Sequence, residues 1–148
     1  MHVQEIMTRD PVCCGRNTDV TEIARIMAKH DCGVVPVLDE DERPVGIVTD
    51  RDITIRCVAR EEDPRAQHAF DVMTDEVVTI RPDRPAEEAA DLMRDRGVRR
   101  LLVTDERDNL VGIVSQADLA RHAPVEDVGE TVREISEPTE AAAATTRA

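Results

Sequence analysis

The chain has 148 residues, of which 32 are Asp or Glu and 19 are Lys or Arg, for a formal net charge of -13. That excess of acid opposes nonspecific attraction to DNA, RNA or an anionic membrane. Trp and Tyr are absent and Phe70 is the single Phe, so Val, Ile, Leu, Met and Ala must build the core, and any bound base would lie on aliphatic side chains.

In chain order, residues 3–8 read as a short helical turn, halted before Pro11. Residues 12–14, Val-Cys-Cys, read as the first strand, and the turn-rich 15–19 offers Thr18 or Asp19 as a helix cap. Val20, Ile23, Ala24 and Met27 then fall at i, i+3, i+4 and i+7, one buried helix face, and Gly33 ends that helix. Val34–Leu38 is an apolar strand, 39–43 a charged hairpin turn and 45–48 the return strand. A helix is expected from Arg51 toward Arg60, although Ile53, Ile55, Cys57 and Val58 are only partly periodic.

The second half follows the same order. Residues 77–80 read as a strand, and Pro85 suits the first position of a helix whose first turn holds Glu87 and Glu88. Ala86, Ala89, Ala90 and Met93 form its buried stripe, and such small residues imply close helix approach. Residues 98–103 and 110–114 are paired strands, and a closing helix begins over 117–122. Beyond Pro124, residues 128–135 have the pattern of a short amphipathic helix, whereas 136–148 lack an apolar face and are expected to be disordered.

This order is a duplication. Val45-Gly46-Ile47-Val48-Thr49-Asp50-Arg51-Asp52 returns as Val111-Gly112-Ile113-Val114-Ser115-Gln116-Ala117-Asp118, an offset of 66, and the same offset aligns Val72-Met73-Thr74 with Ile6-Met7-Thr8 without a gap. Two copies alone do not suit a solenoid, which needs three or more, so a closed pair is expected. The repeats are assigned to 1–62 and 70–123, with a connector at 63–69 and a tail at 124–148.

Each copy of the motif is a β-branched strand that breaks into a helix, with Thr49 or Ser115 followed three residues later by Asp52 or Asp118. Such a hydroxyl and acid commonly cap a helix by satisfying amides that have no intrahelical partner. The functional alternative turns the same groups toward a ligand, the amides to phosphate and the carboxylate to the two hydroxyls of a ribose.

Cys13, Cys14, Cys32 and Cys57 form no Cys-x-x-Cys pair and are expected as buried thiols; a zinc site would need Cys13, Cys14 or Cys32 to converge with His30. No set of nucleophile and base, or of metal ligands with an open position, stands out, so catalysis is not expected. No apolar run approaches the roughly 20 residues that span a bilayer. Met1-His2-Val3-Gln4-Glu5 has no basic flank or apolar signal core, so the expected location is cytoplasmic, with neither nucleic acid nor membrane as partner.

With Val-Met-Thr opening a unit, a helix ending in Met, Val35-Pro36-Val37 on a strand and Gly-Ile-Val-Thr/Ser-x-x-Asp at the close, residues 3–123 resemble the tandem cystathionine-β-synthase (CBS) domain pair, or Bateman module. Thr49-Asp50-Arg51-Asp52-Ile53 gives a further likeness to small bacterial members, some of them responsive to stress or hypoxia. The resemblance implies an α/β fold of the α+β type, two β-α-β-β-α units packed about a pseudo-two-fold axis. It implies a regulatory sensor, with energy sensing among the roles of the family, that binds AMP, ADP, ATP, NAD or S-adenosylmethionine as ligand, needs no cofactor, forms a homodimer and acts through an unidentified protein effector.

Mapped by position, Asp52 and Asp118 would hold ribose, Thr49 and Ser115 would meet phosphate or ribose, and backbone near Val12-Cys13 and Val78-Thr79 would enclose adenine. Arg51 is placed to neutralise phosphate. Ala117 stands in its place in the second copy and Leu102 replaces Pro36, so tighter binding is expected at Asp52 unless Arg99 or Arg100 turns inward to compensate. The family also includes members that bind no nucleotide. The alternative is therefore a structural or interaction module, with metal or redox responsiveness through the cysteines as a variant of it.

Overall fold

The computed structural model describes residues 1–122; the helix expected at 128–135 and the end expected to be disordered lie outside them. It is a mixed α/β structure with two sheets. Contacts divide the described residues into two compact units, one formed by Asp10–Val78 with Thr104–Val111, the other by Met1–Arg9, Thr79–Val103 and 112–122.

In the first of these units, Thr18 and Asp19 divide the work expected of either. The Gly15 N–H donates to Thr18 Oγ1 at 3.0 Å, closing the turn, and the Glu22 N–H donates to the Asp19 carboxylate at 2.8 Å, capping helix α2 (Val20–His30). Val20 and Ile23 are fully buried and Ile26 and Met27 pack against the same core, whereas Ala24, expected on that face, is exposed. The buried arc is thus rotated toward Ile26, whose larger side chain removes more apolar surface from water than Ala24 would. Asp31, in the left-handed region at φ 50°, terminates the helix two residues before Gly33.

The sheet of this unit is ordered β2-β3-β4, with β2 (Cys14–Gly15) parallel to β3 (Val34–Leu38) and β3 antiparallel to β4 (Pro44–Thr49). The strand expected at 12–14 therefore begins only at Cys14, which pairs with Val37. The hairpin turn is built on Asp39, whose Oδ1 accepts the N–H groups of Asp41 and Arg43, both at 2.9 Å. After β4 comes α3 (Asp50–Ile53), which passes into a π-helical turn over Thr54–Val58. That wider turn accounts for the irregular spacing of apolar residues: Cys57 is buried, while Ile55 and Val58 are exposed.

The second repeat, most of which lies in the other unit, follows the same plan with β5 (Thr79–Ile80), α5 (Ala86–Arg96), β6 (Arg100–Thr104), β7 (Leu110–Ser115) and α6 (Gln116–His122). Its sheet has four strands in the order β1-β7-β6-β5 because β1 (Thr8–Arg9) adds to β7. Only Thr79 and Ile80 of the expected 77–80 strand are paired. Pro85 lies one place outside α5 as its N-cap, and Gly97 ends the helix at φ 65°. Ala89 and Met93 are buried and Ala86 and Ala90 half-buried, as the stripe predicts.

Each unit also takes in the opening segment of the other sequence repeat. Helix α4 (Ala69–Val72) is held to the turn before α2 by Ala69 N–H to Thr18 O at 2.8 Å and Phe70 N–H to Arg16 O at 3.1 Å. Helix α1 (Val3–Ile6) is held to the turn before α5 by Val3 N–H to Arg84 O and Gln4 N–H to Pro82 O, both 2.9 Å. The segment after each helix then lies on a glycine of the closing strand. A Cβ on Gly46 would come 2.7 Å from Met73 Sδ and 2.9 Å from Thr74 O, and one on Gly112 would lie 3.0 Å from Thr8 O and closer still to Met7 Sδ. Glycine in the Gly-Ile-Val motif is therefore required by the Met-Thr pair that crosses it.

Candidate functional site

Thr49 and Asp52 sit where β4 gives way to α3. The Asp52 N–H donates to Thr49 Oγ1 at 3.1 Å and the Thr49 N–H donates to Asp52 Oδ2 at 2.9 Å, a reciprocal cap. Both Asp52 oxygens also face the Thr74 hydroxyl, Oδ1 at 3.4 Å and Oδ2 at 3.5 Å. Those long contacts leave the half-buried carboxylate with acceptor capacity to spare. The Asp50 N–H donates to Gly33 O at 3.1 Å and ties the turn to the start of β3.

The Arg51 side chain is exposed, and no carboxylate among the described residues pairs with it. Val12 and Cys13 are half-buried just before β2. Residues 12–13 directly precede β2, which runs parallel to β3, whose first residue Val34 pairs with Thr49. Burial pushes the Cys13 thiol up to about 11, and burial, followed by the adjacent Cys13, pushes Cys14 up to about 12. What residues 12–13 offer a ligand is therefore backbone and a neutral thiol.

Two residues of this site went unassigned from the sequence. Thr74 belongs to the repeated Val-Met-Thr element, a visible signal whose partner was not. Arg56 donates through Nη1 to the carbonyls of Val72 at 3.1 Å and Met73 at 2.6 Å, fixing the segment that brings Thr74 to Asp52. No pattern in the sequence marks Arg56 for that role.

In the other unit the Ser115 N–H and hydroxyl both donate to Asp118 Oδ2, at 2.8 and 2.9 Å, and the Asp118 N–H returns to Ser115 Oγ at 3.1 Å. Here the second carboxylate oxygen is also engaged, by the Arg121 guanidinium, and Asp118 is only 7% exposed. Gln116 N–H to Arg99 O at 2.8 Å matches the Asp50–Gly33 bond at the offset of 66. Arg99, Arg100 and Ala117 are exposed, Val78 is buried and Thr79 pairs with Leu102.

An open depression of about 680 Å³, lined by Gly15–Thr18 and Leu38–Asp41, lies at the hairpin end of the β2-β3-β4 sheet, away from Thr49. Asp39, Glu40 and Asp41 face it against the single charge of Arg16, the wrong balance for a phosphate. All four cysteines are free thiols, Cys14 and Cys57 buried and Cys13 and Cys32 half-buried. Among the described residues no three His, Cys, Asp or Glu gather as a metal site, so the grouping of cysteines with His30 is not assembled. No helix among them is long and apolar enough to cross a membrane.

Two sheets with exchanged opening helices and a Thr/Ser-x-x-Asp box closing each repeat define the class, and a model of the CBS domain matches residues 3–58 and 69–125. The chain belongs to the CBS domain family and carries the domain as a tandem pair. Hypoxic response protein 1 of Mycobacterium tuberculosis is 34% identical over 135 residues, covering 91% of this chain and 94% of that protein. A crystal structure of Hypoxic Response Protein I with two coordinated zinc ions matches with a TM-score of 0.73 at 34% identity, over 84% of this chain and 100% of that one. A CBS domain protein of Pyrobaculum aerophilum complexed with AMP matches at 28% identity and TM-score 0.76, over 88% of this chain and 99% of that one. A CBS domain pair in complex with 5′-methylthioadenosine and S-adenosyl-L-methionine matches at 29% identity and TM-score 0.72, covering 82% and 98%.

Proposed function

We propose that this chain is a regulatory, non-catalytic module of the cytoplasm that binds an adenosine nucleotide at Asp52 and passes its occupancy on through a homodimer interface or a protein effector. The observation that carries the reading is the state of Asp52, a half-buried carboxylate held by a reciprocal cap, with its remaining acceptor capacity met, among the described residues, by the long contacts to Thr74. The ribose hydroxyls are donors for that carboxylate, Thr49 contributes to phosphate or ribose, and the exposed Arg51 supplies a cation to phosphate. Backbone at Val12 and Cys13 flanks adenine. The solved complexes of similar CBS pairs with AMP, 5′-methylthioadenosine and S-adenosylmethionine support this ligand class.

Calorimetric titration of the reduced protein with AMP, ATP, NAD and S-adenosylmethionine tests the proposal, each repeated on Asp52→Ala. The expected outcome is binding weakened at least about tenfold, roughly 1.4 kcal/mol, by the substitution, with a much smaller effect of Asp118→Ala. A larger loss from Asp118→Ala would reverse the ranking of the two sites.

A second reading, an interaction module with no bound nucleotide, draws support from the way both boxes close on themselves as caps. It gains if none of the four compounds gives heat or raises the melting temperature at saturation. Metal or redox responsiveness through the cysteines has less behind it, because raised thiol pKa values keep Cys13 and Cys14 protonated at neutral pH, and among the described residues no three His, Cys, Asp or Glu gather as a metal site.

A further inference from the structure

At the offset of 66, Asp118 corresponds to Asp52, Ala117 to Arg51 and Arg121 to Ile55. The cation has therefore moved one helical turn along. In the first repeat it stands next to the carboxylate's turn, exposed and unpaired among the described residues, while Ile55 has no charge to offer Asp52. In the second repeat the position beside the turn is Ala, and the guanidinium sits three residues beyond the carboxylate and binds it.

The consequence falls on acceptor capacity. Ser115 supplies two donors to Asp118 Oδ2 and Arg121 takes Oδ1. A ribose presents two hydroxyl donors to a carboxylate, and both are weaker donors than a guanidinium in a charge-assisted bond. The Asp118 side chain is 10% exposed, whereas the Arg121 side chain that binds it is 68% exposed.

We infer that Arg121 is an occluding residue, which closes the Asp118 site to the ribose of an adenosine nucleotide and limits the chain to one such ligand, bound at Asp52. This rests on the nucleotide reading above and adds to it a stoichiometry and the residue that sets it. The reciprocal change is an arginine at position 55, which lies three residues beyond Asp52 on the π-helical turn and should compete with ribose for the Asp52 carboxylate.

The test is calorimetric titration with AMP of the wild-type chain, Asp52→Ala, Arg121→Ala, Arg121→Ile and Ile55→Arg, with thermal melts to verify folding. The wild type is expected to bind one AMP per chain and Asp52→Ala none. Both Arg121 variants should bind two, the isoleucine variant carrying the residue the first repeat has there. Ile55→Arg should lose affinity at least tenfold. One AMP in the wild type, lost in Asp52→Ala but still one in both Arg121 variants, would overturn the occlusion and leave the nucleotide reading standing. Two AMP in the wild type would do the same. No AMP bound by any of the five would overturn the AMP stoichiometry, and no binding of ATP, NAD or S-adenosylmethionine either would overturn the nucleotide reading with it.

Discussion

The two repeats agree at the hairpin turn and at the crossed glycine, and differ in what the side chains around them fill or charge. Asp39 and Asp105 organise the same turn with the same pair of amide donors. Gly46 and Gly112 receive the same Met-Thr crossing. Yet the fully buried position that is Ile23 in α2 is Ala89 in α5, and the cation beside the motif is at Arg51 in one copy and at Arg121 in the other. A duplicated fold keeps the residues that set its chain path, and is free to alter volume and charge around them, which is how one frame yields two sites of different capacity.

The strongest way to break this comparison is through the core. Ile23→Ala gives the first repeat the residue its partner carries, but the surroundings of Ile23 are not those of Ala89, so a loss of about 2–5 kcal/mol is expected in urea unfolding. A change below about 1 kcal/mol would mean that the two helices are interchangeable after all.

The glycines test the shared half of the comparison. Gly46→Ala and Gly112→Ala each push a methyl against a backbone carbonyl, and the methionine in front can yield where the carbonyl cannot. A destabilisation of about 1–3 kcal/mol is expected for both, and to a similar extent, because the two carbonyls lie at nearly the same distance. A neutral result at either position would show that the crossing segment moves freely.

A smaller effect separates the repeats by pH. Burial raises Cys13 to about 11 and Cys14 to about 12 from an ordinary 9.0, whereas the matching positions are Thr79 and Ile80, which do not titrate. The folded chain therefore holds thiol protons that the unfolded chain releases. This contribution is complete below the unfolded value and is lost as the pH climbs from about 9 toward the raised values. Urea midpoints at about pH 8 and about pH 10 should show that decline, and Cys14→Ala should reduce it. The smallest expected change is a gain of a few tenths to about 1 kcal/mol from Asp31→Gly, read as a rise in melting temperature. Gly97 ends α5 in the same left-handed conformation that Asp31 holds at some cost, and the greater unfolded-state freedom of Gly offsets part of the gain.

Much of this architecture was legible in the sequence. The 3.6-residue spacing located both eleven-residue helices, the β-branched runs located the hairpins, and the repeated Thr/Ser-x-x-Asp located both turns. The same patterns misassigned what depends on neighbours. Ala24 has the spacing of a buried residue and is exposed because Ile26 fills that side. The helix after Asp52 is brief because a π-turn follows it, and no propensity marks such a turn. Thr74 and Arg121 were missed for one reason: periodicity says which face a residue occupies, and says nothing of what that face meets. The offset of 66 also aligns each opening segment with both closing strands equally well, so it does not reveal which strand is crossed.

That crossing has a consequence for what a single repeat can be. Asp10–Val78 contains the whole connector, so a cut there severs a compact unit internally and leaves α4 attached only by its hydrogen bonds and packing. A polypeptide holding one repeat alone would lack the segment that seals its glycine strand and could obtain it only from another molecule, by domain swapping. The duplicated chain makes that exchange within itself, at an effective concentration that no longer depends on how much protein the cell contains.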